Sequence, residues 1–128
     1  MTELKRAILE AAQGEPDFPE PGVAERAFRF DARFLGFAGH FPGYAVLPAL
    51  VQVMTAATVA EALLAVPLTF ASVENAKFHL QIEPGMDVSV RCQERQPPGS
   101  RAVDVRVTVP RGLASSFRLT FAADGGAG

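Results

Sequence analysis

The chain has 128 residues, of which 48% are hydrophobic, and a formal charge of −2 at pH 7. That much apolar material predicts one domain, residues 1–128, with its own core, and the slightly acidic balance gives no general attraction for nucleic acid or anionic membranes. The single cysteine excludes an internal disulfide and a CxxC metal or redox motif, so we predict no metal site and expect a reducing cytoplasm.

The N-terminal third predicts a short helix followed by a strand. Over residues 1–13 apolar side chains recur at helical spacing, which indicates an amphipathic helix, and no signal peptide is recognisable. The proline-rich residues 14–22 are predicted to be a connector. From Val23 the pattern changes to that of a half-buried strand, in which Phe28 and Phe30 share one face.

The next element is a helix that is apolar on nearly every side. Pro48 fits the start of a helix, where its missing amide costs no hydrogen bond, and Pro67 ends the pattern. Between Ala49 and Leu64 only four side chains are polar: Gln52, Thr55, Thr58 and Glu61. Such a helix belongs in a core, and it is too short for a membrane span, which needs about 20 apolar residues.

The remainder of the chain predicts strands. Residues 68–82 and 87–94 are extended, and residues 101–109 and 114–122 alternate between apolar and polar side chains. Short turns join these strands, and residues 124–128 are predicted to be a flexible tail. The order of elements predicts an α+β fold in which a curled antiparallel sheet wraps around one long central helix.

Two motifs flank the central helix: GHFPGYAVLP before it and ENAKFHLQIEPGMDVSV after it. Over residues 28–90 they resemble the hotdog-fold 3-hydroxyacyl-acyl-carrier-protein dehydratases of the FabA/FabZ type. Those proteins typically show GHFPGxPVxPG before the helix and a KF or RF strand that ends in a PGD turn. The resemblance implies a hotdog fold, a role in fatty-acid or polyketide-type synthesis, and a dimer whose two sites each draw on both subunits.

The resemblance also implies roles for individual residues. His40 would be the base that takes a proton from the carbon next to the thioester, and the Ala49 amide would donate a hydrogen bond to the thioester oxygen. The acyl group would arrive on the phosphopantetheine of acyl carrier protein or of CoA and enter a tunnel beside the helix, with no other cofactor. The substrate-binding residues that it implies are Phe41, Pro42, Gly43, Pro48, Gln52, Met54 and Thr55.

One position departs from the family pattern in a way that bears on catalysis. The family places a glutamate or aspartate fourteen residues after the histidine, and this chain has Met54 there, which cannot transfer a proton. Glu61 lies on the same helical face but about 10 Å further along. Gln52 and Thr55 can orient a water molecule, but neither is an acid near pH 7.

Three functions therefore stay open. The chain is a homodimeric dehydratase with weak or no activity alone, a degenerate subunit that pairs with an active dehydratase-like subunit in a heterodimer, or a hotdog acyl thioesterase or acyl binder. Two surface features belong with these hypotheses. His79 is predicted to face solvent, and five basic residues are candidates for a patch that meets the acidic carrier protein: Lys77, Arg91, Arg101, Arg106 and Arg118.

Overall fold

A computed structural model describes residues 3–34, 37, 46–65, 69–97 and 99–122, with the backbone alone at residues 69–71. The helices are α1 (Glu3–Glu10) and α2 (Ala49–Leu64). The strands are β1 (Asp17–Glu20), β2 (Val23–Arg29), β3 (Thr69–Phe78), β4 (Asp87–Glu94), β5 (Ala102–Val109) and β6 (Gly112–Ala122).

The described strands form one antiparallel sheet in the order β1-β2-β4-β5-β6-β3. The sheet curls around α2, which packs against β2, β3, β4 and β5. This is the α+β arrangement that the sequence predicts. It places the short strand β1 and the ten-residue strand β3 at the two edges of the sheet.

Strict alternation of side chains produces the core. In β5 the valines at positions 103, 105, 107 and 109 are buried against α2, whereas Arg106 between them is exposed. The same alternation buries Val88, Val90 and Cys92 of β4. Each strand therefore contributes one apolar face, and α2 is enclosed because its own surface is apolar nearly all round.

Helix α1 packs against α2. Its one fully buried side chain, Ile8, joins the core, and Lys5 Nζ lies 3.2 Å from a carboxylate oxygen of Glu61 on α2. Both charged side chains are partly exposed, so the ion pair contributes little, on the order of 0–1 kcal/mol, and the packing of Ile8 matters more.

Three predicted boundaries differ from the structure. The connector predicted at residues 14–22 contains β1, a short strand that tolerates Pro19 because it lies at the sheet edge. The extended run predicted to reach Ile82 leaves the sheet after Phe78. Strand β6 begins at Gly112 instead of residue 114, since its positive φ of 136° lets the tight turn after β5 lead directly into pairing.

Neither helix in the described part of the chain has both the length and the apolar character needed to cross a membrane.

Candidate functional site

The N-terminus of α2 presents amides that have no acceptor within the helix. Pro48 precedes the helix in an extended conformation, with φ −65° and ψ 155°, and its own side chain makes no capping hydrogen bond. The first bond of the helix runs from the amide of Gln52 to the carbonyl of Pro48. The amides of residues 49–51 therefore have no helical acceptor, and together with the helix dipole they favour a negatively charged oxygen at this end.

A surface groove opens beside this helix end, with a volume of about 460 Å³. One wall is formed by the start of α2 and the residues before it, and the other by the end of β3 and the segment that follows it. The described lining residues are Val46, Leu47, Pro48, Ala49, Gln52, Phe78, His79, Leu80 and Gln81. Its size falls in the range of about 300–1,000 Å³ that is usual for small-molecule sites, and most of its walls are apolar.

Leu47 holds the start of α2 in place. Its amide donates to the carbonyl of Ile82 at 2.8 Å, and its carbonyl accepts from Nε2 of Gln52 at 3.2 Å. The other amide atom of Gln52, Oε1, accepts from the hydroxyl of Ser115 on β6 at 2.7 Å. Gln52 and Ser115 are both buried, so this chain of hydrogen bonds fixes one groove wall to the sheet.

Thr55 and the interior beside it do not form part of the groove. The Thr55 hydroxyl is buried and donates to the carbonyl of Val51 at 2.7 Å. It faces a region bounded by Phe30, Ile82 and Val107, among others, where no space remains for even one water molecule. In a single chain the space beside Thr55 is therefore filled by side chains.

Met54 packs against the hydrophobic core as a partly buried side chain. It is not among the described residues that line the groove. Glu61 is held by Lys5 at the far end of α2, so it is not a replacement. The structure thus places an apolar thioether where the resemblance implies an acid.

Four predicted site residues lie outside the described residues: His40, Phe41, Pro42 and Gly43. Of the remaining predicted residues, the structure brings Pro48, Ala49 and Gln52 together in the groove and leaves Met54 and Thr55 out of it.

The structure adds two residues that sequence reasoning did not assign to the site. His79 is exposed, as predicted, but it is exposed on the groove wall opposite α2. Ser115 supports Gln52 from β6. Its role could have been noticed, because Ser115 has the same parity as the inward-facing Phe117 and Leu119 and is thus a polar residue at a core position.

The five candidate basic residues do not form one patch. Lys77, Arg106 and Arg118 line a second groove, of about 500 Å³, on the outer face of the sheet. Arg91 lies on the same face but is paired with Glu25 at 2.7 Å, which raises the pKa of its guanidinium further. Arg101 lies elsewhere, beside Leu64 and Glu94.

No group of three or more histidine, cysteine, aspartate or glutamate side chains in the described ranges is arranged to hold a metal ion.

Comparison with known proteins gives a direct family match. The model of the ApeI-like family, described as ApeI dehydratase, matches residues 19–116. A curated relative, the 3-hydroxyacyl-acyl-carrier-protein dehydratase FabZ of Desulforamulus reducens, is 32% identical over 94 residues. That match covers 67% of this chain and 66% of the relative, so the chain spans slightly less than two thirds of the relative's length.

Solved structures confirm the hotdog fold. The dehydratase heterocomplex ApeI:P from Xenorhabdus doucetiae matches with a TM-score of 0.75 and 23% identity, over 85% of this chain and 95% of that one. A hypothetical thioesterase with coenzyme A from Streptococcus pneumoniae matches with a TM-score of 0.69 and 8% identity, over 93% and 92% of the two chains. At these identities the likeness shows the fold alone. With the family model spanning three quarters of the sequence, the chain belongs to the ApeI-like dehydratase family of hotdog-fold proteins.

Proposed function

We propose that this chain binds 3-hydroxyacyl thioesters in the groove at the N-terminus of α2 and removes water from them, with low activity as a homodimer. The observation that carries the proposal is the helix end at Ala49, which no described side chain caps and which lines a mostly apolar groove large enough for a thioester and its neighbouring carbons. Membership of a dehydratase family supports this reaction over others that use a helix end.

In this reaction the Ala49 amide donates to the thioester oxygen. The proton on the carbon next to the thioester becomes acidic because the negative charge that forms on removing it spreads to that oxygen. His40, which lies outside the described residues, takes the proton. The hydroxyl on the next carbon then leaves as water, and a double bond forms between the two carbons. Leaving of the hydroxyl is the step that requires an acid.

Met54 limits this last step. A positioned acid contributes about 10²–10⁴ in rate, and a half-buried thioether contributes none of that. The ten-residue strand β3 lies at the edge of the sheet and, among the described residues, pairs with β6 only. Its free edge could pair with a second chain, which supports a dimer that brings that chain to the groove. In a homodimer the second chain brings another methionine, so turnover stays low.

The test is incubation of the purified chain with 3-hydroxyacyl thioesters of pantetheine and detection of water loss by mass spectrometry. We expect slow formation of the enoyl thioester, and its absence from a His40→Ala control. If the wild-type chain and the control form the same amount of product, the dehydratase proposal is wrong.

A second candidate is a subunit of a heterodimeric dehydratase. Met54 favours it, because a partner with a carboxylate at that position would complete the pair, and a structural relative is itself described as a dehydratase heterocomplex. Mixing the chain with dehydratase-like proteins from its own source should then give a 1:1 complex with far higher turnover than either protein alone. Exclusive homodimers in every mixture would contradict this candidate.

A thioesterase is the third candidate, and the fold shared with a hypothetical thioesterase keeps it open. Hydrolysis requires a water molecule held by an activating base. Among the described groove residues, Gln52 has both amide atoms engaged by Leu47 and Ser115, which leaves it poorly placed to hold one. Release of free thiol from a panel of acyl-CoA substrates would identify this activity directly.

We also propose that acyl carrier protein docks on the outer face of the sheet, at the groove lined by Lys77, Arg106 and Arg118. Neither Lys77 nor Arg106 forms an ion pair with any described residue, whereas Arg118 is bonded to Asp104. Lys77 directly precedes Phe78, the first residue of the wall of the α2 groove. A carrier that is held here by its acidic surface could therefore pass a phosphopantetheine arm around the end of β3.

The docking proposal is tested by reversing charge. In Lys77→Glu and Arg106→Glu the affinity for a 3-hydroxyacyl carrier protein should fall about 10-fold or more, and the effect should weaken at high salt. Arg6→Glu, at an exposed position on α1, makes the same change in charge and is the control. An equal loss in all three variants would show that only the net charge matters and would contradict a docking site.

A further inference from the structure

His79 occupies a defined place in the α2 groove. Its amide donates to the carbonyl of Ala114 on β6 at 2.7 Å, and the amide of Leu80 donates to the same carbonyl at 3.2 Å. The preceding ring, Phe78, stacks on Phe117 with a centroid distance of 6.3 Å. Phe78 before His79 and Leu80 after it are therefore both held against β6, while the imidazole itself stays exposed on the groove wall.

The groove has one side chain suited to proton transfer. Of the nine described residues that line it, His79 alone has a side chain, an imidazole, that can both give and take a proton. The other side chains are apolar, apart from the amides of Gln52 and Gln81. The facing wall carries the Ala49 amide, where the thioester oxygen is held in the proposed function. A substrate that lies in this groove thus has an oxyanion donor on one wall and an imidazole on the other.

From this arrangement we propose that His79 is the acid of the dehydration, in the role that Met54 cannot fill. The inference rests on the proposed function. The base removes the proton from the carbon next to the thioester, and the electrons of that bond form the new double bond. The bond between the following carbon and its hydroxyl breaks with both electrons on oxygen. The His79 imidazolium gives that oxygen a proton, water leaves, and the neutral imidazole regains a proton from solvent.

The experiment compares two leaving groups in the same assay. The purified full-length chain is given 3-hydroxybutyryl-pantetheine, which must lose water, and 3-fluorobutyryl-pantetheine, which loses fluoride without needing an acid. In His79→Gln the loss of water should fall about 10²-fold or more, whereas the loss of fluoride should fall far less. In His79→Glu part of the loss of water should return only when the pH is lowered to about 5 or below, where an exposed glutamic acid side chain carries a proton.

Glu83→Gln serves as the matched control, because it removes a carboxylate from an exposed position four residues along the chain that is not part of the groove lining. Circular dichroism of each variant verifies folding. If His79→Gln lowers both eliminations equally, or lowers neither, His79 is not the acid, and the proposed function still stands as long as the wild-type chain forms the enoyl product. If the wild-type chain eliminates neither group, the proposed function itself fails, and the role of His79 fails with it.

Discussion

The Ser115 hydroxyl on β6 donates a hydrogen bond of 2.7 Å to Oε1 of Gln52, in the first turn of α2, across the interior of the sheet. Both residues are buried, and Nε2 of Gln52 in turn donates a hydrogen bond to the carbonyl of Leu47. One pair of polar side chains thus sets the position of the helix end that lines the proposed site. The helix end cannot shift without leaving a buried amide unpaired, which is costly.

Removing the hydroxyl tests this connection. In Ser115→Ala the Oε1 of Gln52 loses its donor inside the core, and we expect the free energy of unfolding to fall by about 1–3 kcal/mol. The neighbouring Ser116→Ala is the control, since that side chain is only partly buried and a change there should cost roughly 0.5 kcal/mol or less. Urea unfolding of both variants measures the difference, and equal stabilities would contradict a structural role for the bond.

The Ala49 amide can be removed without removing the helix. Proline is tolerated at the first position of a helix, and the extended conformation of Pro48 suits a residue that precedes proline. Ala49→Pro should therefore melt near the wild-type temperature, while turnover of 3-hydroxyacyl thioesters should fall about 10²–10³-fold. Ala49→Gly keeps the amide and takes a methyl group out of the groove, so its turnover should rise. Undiminished turnover in the proline variant would exclude the amide as the oxyanion donor.

Restoring a carboxylate tests the position of Met54. In Met54→Glu the rate of dehydration should rise, because an acid is supplied where the family has one, and the rise should reach about 10²–10⁴ when His79→Gln has removed the acid that the groove itself supplies. Met54→Gln has the same length but no proton to transfer, and it should show no such gain. Because Met54 packs partly against the core, both variants should be less stable by roughly 0.5–3 kcal/mol. A folded glutamate variant that is no faster than the glutamine variant would show that position 54 does not face the substrate.

Cys92 predicts a pH dependence of stability. Burial raises the pKa of its thiol to about 12, and the thiol lies 3.6 Å from the carbonyl of Ala56. A folded-state pKa above the unfolded value of about 8.5 means that the contribution to stability is complete below that pH and is lost as the pH rises towards 12. Native protein should resist alkylation at pH 8 until denaturant is added. Between pH 7 and 11 the melting temperature of the wild-type chain should fall more steeply than that of Cys92→Ala.

Local patterns in the sequence were sufficient for most of the fold. The alternation of valines in β5 and the apolar length of α2 can each be recognised from neighbouring residues. A strand with one apolar face must turn that face to the core, and a helix that is apolar nearly all round must lie inside it. The short strand β1 was missed for the opposite reason. Pro19 within it argues against a strand, as do Pro16 and Pro21 on either side, and only pairing with the neighbouring β2 makes an edge strand there favourable.

The sequence by itself determined the family, the central helix and the loss of the acid at Met54, since each depends on residues that are close together in the chain. The tertiary structure decided what surrounds the helix end. Gln52, His79 and Ser115 belong to three separate segments, and only the pairing of β3 with β6 and the packing of α2 inside the sheet bring them together. Contacts between distant segments depend on how the whole sheet closes, and no local pattern in the sequence encodes them.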